Sequence, residues 1–166
     1  MTATILAIDP GRDGAIACAR GREVLAAVLL ADLHGGARWD VAHPLVTAAL
    51  ASIVAEHQPG LAVLELVSAR PGEGRSSILT AGVGFGVLLG ILSALRVPTI
   101  TPTPAAWARV VLAGIPGEGK ARAISVAMQH YPALDLSPGR RRVPHPGLAD
   151  AACLALHGAR HVQRAR

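Results

Sequence analysis

Two carboxylates interrupt runs that are otherwise aliphatic. Asp9 ends Ile-Leu-Ala-Ile-Asp, and Glu65 sits inside Leu-Ala-Val-Leu-Glu-Leu-Val. An isolated ionised carboxylate buried in such a strand costs on the order of several kcal/mol or more, so something must compensate each. For Asp9, followed by Pro-Gly, an Asx turn, a cap or an Arg partner serves as well as a ligand role. Glu65 stands where any aliphatic residue would pack better, which favours a functional or metal-binding role. A third acid, Asp150, opens the last helical pattern, where a first-turn carboxylate also answers the helix dipole. Acids from two neighbouring strand ends and one helix start can converge on hard divalent cations, which take oxygen ligands. A pair of such ions, roughly 3.5 to 4 Å apart, usually hydrolyses phosphodiesters: one activates water and the other steadies the leaving oxygen.

The elements that must position these acids follow from patterning. Residues 4–8, 14–19 and 23–30 are β-branched and aliphatic runs separated by Gly-containing turns, an antiparallel meander. Residues 44–56 carry Leu45, Val46, Ala49, Leu50, Ile53 and Val54 at helical spacing and stop before Pro59-Gly60. Residues 61–67 are apolar on both alternating faces apart from Glu65, which predicts a strand in mid-sheet. A glycine-striped helix over 78–95 and a strand over 97–101 close a strand, helix, strand unit. Helices are predicted over 104–112, 118–131 and 148–162, with a basic loop at 140–146. The order predicts one mixed α/β sheet with helices on both faces.

Composition narrows the partners. The 166 residues suit one domain, 51% are hydrophobic and 16% charged, so a packed globule is expected rather than a disordered chain. Only Trp39, Phe85, Trp107 and Tyr131 are aromatic, which argues against a single-strand reader that stacks bases on rings. The net charge of +5 comes with fifteen arginines and a single lysine, Lys120. Arginine is the better bidentate phosphate binder, so a polyanionic partner is expected. Cys18 and Cys153 have no CxxC spacing, and the run after Met1 lacks a basic n-region, so a reducing cytoplasm without disulfides is expected.

The eighteen uncharged residues 78–95, between Arg75 and Arg96, reach the lower length limit for a membrane span. Gly82, Gly86 and Gly90 recur every fourth residue there, as in helix-packing faces. Four glycines, Thr80, Ser93 and balanced basic flanks favour instead a buried helix packed closely on a sheet or on a symmetry mate, and no membrane partner.

The segments "ILAIDPGRDGAIA", "LAVLELV" and "LADAACLAL" carry the three acids. Between and around them, "SARPGEGRSSILTAGVGFGVLLGIL", "TPTPAAW", "GKARAISVAMQHYP" and "HPGLADAACLALHG" follow in order. The ordered set, covering nearly the whole chain, resembles the RuvC family of Holliday junction resolvases in its phage and organellar branch, within the RNase H-like superfamily. The resemblance implies a RuvC-type, RNase H-like five-stranded mixed sheet, forming one nuclease domain over residues 1–166. It implies symmetric nicking of four-way DNA junctions, with two Mg2+ per site and Mn2+ able to substitute. Asp9, Glu65 and Asp150 fill three of the family's four metal-binding acidic positions. Members often place an acid or a His a few residues before the last Asp. Here Pro146 and Gly147 cannot ligate, leaving His145 as a ligand, a proton-transfer group or a plain loop residue. Lys120 aligns with a lysine near the scissile phosphate. Arg70, Arg75, Arg140, Arg141 and Arg142 are candidates for phosphate contacts, against the alternative of solvated basic loops. The family dimerises through the helix after the second acid, here the one bearing Gly82, Gly86 and Gly90, and a C2 dimer matches the two-fold symmetry of the junction.

Two other motifs lead elsewhere. "GIPGEGK" has the spacing of a phosphate-binding loop, but Ala121 stands where Ser or Thr should bind magnesium. "DPGRDGAIA" also resembles the first phosphate loop of actin-like ATPases, which need two such domains. Two rivals to a resolvase remain: a RuvC-fold RNA-processing nuclease, and a junction-binding protein impaired by its missing fourth ligand.

Overall fold

The structure is a computed structural model and describes residues 2–11, 13–34, 39–69 and 72–165, with side chains left aside at 34 and 39–42. Strands β1 (Thr4–Asp9), β2 (Ala15–Arg20) and β3 (Glu23–Leu29) form the expected meander. Strands β4 (Leu61–Leu64) and β5 (Thr99–Ile100) continue the sheet in parallel on the far side of β1, giving the order β3-β2-β1-β4-β5. The β1–β2 turn needs Gly14, where a Cβ would lie 2.0 Å from the Asp9 carbonyl oxygen.

Period-two alternation divides the core. Ile5 and Ala7 of β1 face the layer of α4 (Pro104–Val111), α5 (Gly119–His130) and α6 (Pro146–Arg164). Leu6 and Ile8 face the layer of α1 (Leu30–His34), α2 (Trp39–His57) and α3 (Arg75–Ala94). The five-stranded mixed sheet with helices on both faces is therefore as expected. Cys18 and Cys153 are free and buried, one in each layer.

Several boundaries differ from the sequence reading. The fourth strand stops at Leu64, although Glu65 N–H still donates to the Ile8 carbonyl (3.0 Å) and Leu66 N–H to that of Pro102 (2.9 Å). Its neighbour β5 is bracketed by Pro98 and Pro102, which have no N–H to give, so the ladder cannot lengthen. Residue 30 starts the short helix α1 instead of ending β3. The last helix begins at Pro146, with proline in the first turn where its missing N–H costs nothing. Asp150 thus lies in the second turn, and the first turn holds no acid, which removes the helix-dipole explanation for it.

The glycine-striped helix also departs from expectation. It starts at Arg75 and within the single chain it is not buried on the sheet along its glycine stripe: only Gly84, Leu88 and Leu92 are buried, which leaves the alternative of packing on a symmetry mate. A Cβ built at Gly82, Gly86 or Gly90 meets nothing within 4 Å, so the stripe faces away from the sheet. Leu79 is 69% exposed on the same helix. Among the described residues, α3 is the one helix long and apolar enough to cross a membrane, with 17% of that window buried.

Candidate active site

Three elements meet at one end of the sheet and bring the three acids together. Asp9 is the last residue of β1, and Glu65 follows β4, which runs parallel beside it. Asp150 comes from α6, which crosses the sheet closely because its packing face is built of Ala149, Ala151, Ala152, Ala155 and Gly158. At Gly158 the approach is tightest: a Cβ there would lie 2.7 Å from both Ile5 Cγ2 and Val63 Cγ2.

Asp9 is 8% exposed and its Oδ1 accepts from Gly11 N–H at 3.0 Å, so the Asx-turn role is real. It does not cancel the electrostatic cost. Burial, opposed by that hydrogen bond and by Lys120 but reinforced by the negative charges of Glu65 and Asp150, pushes the Asp9 carboxyl up to about 7. Asp150 is 3% exposed, and burial raises its carboxyl despite the Lys120 ammonium, whose Nζ donates to Oδ2. Lys120 stands in the first turn of α5 with its side chain 63% exposed. Burial alone would lower it, yet the hydrogen bond and charge of Asp150, with the charges of Asp9 and Glu65, hold it above its usual range. Desolvation wins at the carboxylate and pairing wins at the ammonium. Lys120 faces all three acids.

Glu65 has a partner that sequence reasoning missed. The buried Trp107 indole donates from Nε1 to Glu65 Oε1 at 2.6 Å. Its position is set by α4, whose first turn is capped by Thr103 Oγ1 accepting from Ala106 N–H (3.2 Å). The signal was present: a buried Trp needs an acceptor for its one N–H.

His145 is not brought to the acids. It precedes α6 without capping it, and its electrostatic neighbours are Arg141, Asp13 and Asp32, with burial as the main cause of its lowered pKa. Nor does any side chain fit at position 147. A Cβ on Gly147 would lie 2.0 Å from the Asp13 carbonyl oxygen, so the β1–β2 turn fills that place. Among the described residues no three His, Cys, Asp or Glu side chains close into a metal cage, although the charges of Glu65 and Asp150 act on Asp9.

The arginines divide by what they touch. Arg22 donates to the Gln129 carbonyl (2.7 Å), Arg160 to that of Val110 (2.5 Å) and Arg122 to that of Leu112, stapling elements together. Arg20 Nε donates to Thr4 Oγ1 (2.9 Å). Arg140, Arg141 and Arg142 are exposed on the connection into α6, where Arg141 reaches the Pro138 carbonyl (3.2 Å). Arg75 is exposed at the start of α3, and Arg70 lies outside the described residues.

The chain matches no protein-family model, and no curated protein matches it. Solved structures do. A Thermus thermophilus RuvC in complex with a Holliday junction substrate superposes with a TM-score of 0.72 at 16% identity, over 98% of this chain and 96% of that one. A second Thermus thermophilus RuvC structure gives 0.70 at 18% identity, over 98% and 96%. The yeast mitochondrial Holliday junction resolvase Ydc2 gives 0.60 at 14% identity, over 96% of this chain and 78% of that one. At these identities the likeness establishes the fold: a RuvC-type, RNase H-like sheet from end to end.

Proposed function

We propose that this chain, which has the fold of the RuvC-type resolvases, is a Mg2+-dependent endonuclease that nicks four-way DNA junctions symmetrically. The observation that carries the reading is the gathering of Asp9, Glu65 and Asp150 where β1, β4 and α6 meet, with Lys120 on Asp150. The donors suit a hard divalent ion. They are all carboxylate oxygens, and Asp9 is held up partly by negative charge that a bound cation would relieve. Asp9, Glu65 and Asp150 would hold it, and the ion would supply an acidified water and charge stabilisation at the phosphate.

The protein's own groups do the positioning. Gly11 N–H fixes one oxygen of Asp9, the Trp107 indole fixes Glu65, and the rigid α6 backbone fixes Asp150. Lys120, largely exposed beside the acids, is placed to meet the scissile phosphate. Arg75 and Arg140 to Arg142 are exposed cations that would hold backbone phosphates, whose contacts position DNA without reading sequence. Two copies would associate through the outward apolar face of α3, the glycine stripe allowing close helix approach, so that two sites address opposing strands.

One observation favours a second reading. His145 stands away from the acids and position 147 admits no ligand, so the set is one short of the family's four. A junction-binding protein without cleavage would look similar. The test is cleavage of a synthetic four-way junction, a linear duplex of the same sequence and a folded RNA, with and without Mg2+ or Mn2+. Paired nicks in the junction alone, only with metal, are expected. Junction binding without nicks in either metal would establish the second reading, and cleavage of the RNA alone would replace both.

A further inference from the structure

Resting on that metal-dependent reading, we propose that the Lys120 ammonium takes the place of a second metal ion, so that the site binds one divalent cation per chain. The family's pair of ions comes with a fourth protein ligand, and among the described residues neither position 147 nor His145 supplies one beside the three acids. Gly147, three residues before Asp150 on α6, is seated on the Asp13 carbonyl with no room for a side chain. The charges that act on His145 are those of Arg141, Asp13 and Asp32. The group that does face the acids is a cation: Lys120 Nζ donates to Asp150 Oδ2 and lies in the field of Asp9 and Glu65 as well.

The contact with Asp150 points the same way. A second ion would have to displace the Lys120 ammonium from Asp150, leaving that buried carboxylate to exchange a partner it already has. An ammonium cannot acidify water as a metal does, but as a fixed positive charge with three donors it can steady the developing charge on a phosphate oxygen. The division of labour would then be one ion for the water and Lys120 for the leaving side.

The decisive experiment counts ions rather than products. Mn2+ is titrated into the full chain by calorimetry, with bound metal checked by electron paramagnetic resonance, for the wild type, Lys120→Glu, Lys120→Met and Asp150→Asn. One Mn2+ per chain is expected for the wild type and Lys120→Met, and two for Lys120→Glu, which puts a fourth carboxylate beside Asp150, with the fold of each variant checked by circular dichroism. In Asp150→Asn the affinity should fall at least tenfold. Two ions in the wild type, or a single ion in a folded Lys120→Glu, would overturn the proposal while leaving a metal-dependent nuclease standing. No specific ion in any form would overturn both.

Discussion

The two faces of the sheet are packed by different means. Against α4, α5 and α6 larger residues such as Trp107, Tyr131 and Leu154 are interleaved with many small ones, among them Ala7, Ala15, Ala17, Ala151, Ala152, Ala155 and Gly158 where α6 meets the sheet. Against α1, α2 and α3 it is branched and long: Leu6, Ile8, Ile16, Leu30, Leu50, Ile53, Leu88 and Leu92. Helix-to-sheet distance follows side-chain size, so the small residues of the first face let α6 lie close on β1 and β4, as at Gly158. The close face carries the acids. The other face leaves most of α3 outside, offering an apolar surface in place of chemistry. A helix of small residues here serves to deliver a carboxylate to a strand end.

That comparison can be broken most severely at Gly158. Gly158→Val puts methyl groups into Ile5 and Val63, and lifting α6 should cost about 3 kcal/mol, measurable by urea unfolding, with Asp150 displaced and nicking lost. An unchanged midpoint would mean that α6 does not depend on close approach. Next in size is Trp107→Phe, which keeps the packing and deletes the indole donor to Glu65. A ten- to hundredfold fall in the single-turnover nicking rate, with junction affinity retained, is expected from losing one hydrogen bond to a half-buried carboxylate, about 1.4 to 3 kcal/mol. Retained rate would show that Glu65 needs no such anchor.

On the open face, Gly86→Leu has room in the isolated chain, so its thermal midpoint should hold or rise slightly while self-association weakens at least tenfold in sedimentation. An unaltered dimer would move the interface elsewhere. The smallest effect is expected at His157 of α6, whose Nδ1 is buried without a hydrogen-bond partner among the described residues. Burial first, then the charges of His161, Arg164 and Arg160, hold it below its ordinary 6.5. The unfolded chain takes the proton more readily, so stability present above about pH 6.5 is lost as the pH falls through the depressed folded value. His157→Leu should flatten the acid side of the stability curve and change little at neutral pH.

What the sequence disclosed and what it hid divide along physical lines. The meander, the central strand and Asp9 and Glu65 were legible because alternation and interruption of apolar runs are local signals. The start of α6 was also legible in principle, since Pro146 is a residue that helices favour in their first turn. The Trp107 bond to Glu65 spans 42 positions and the Lys120 bond to Asp150 spans 30, and pairings of that kind leave no local pattern. Lys120 was singled out for a phosphate and turns out to hold an acid as well. His145 stands as one candidate for the missing ligand beside the readings of proton-transfer group and plain loop residue; in the structure the charges acting on it are those of Arg141, Asp13 and Asp32. Nothing local to position 147 says that the Asp13 carbonyl will lie against it.

The most direct test compares the wild type with Asp150→Asn in single-turnover cleavage of a four-way junction at saturating Mg2+, with junction affinity measured in parallel. Enzymes commonly lower such barriers by about 20 kcal/mol, so removing one of three carboxylates should cut nicking by roughly 10³-fold or more while binding is retained. Nicking by Asp150→Asn at the wild-type rate would contradict the assignment of the site to the meeting point of β1, β4 and α6.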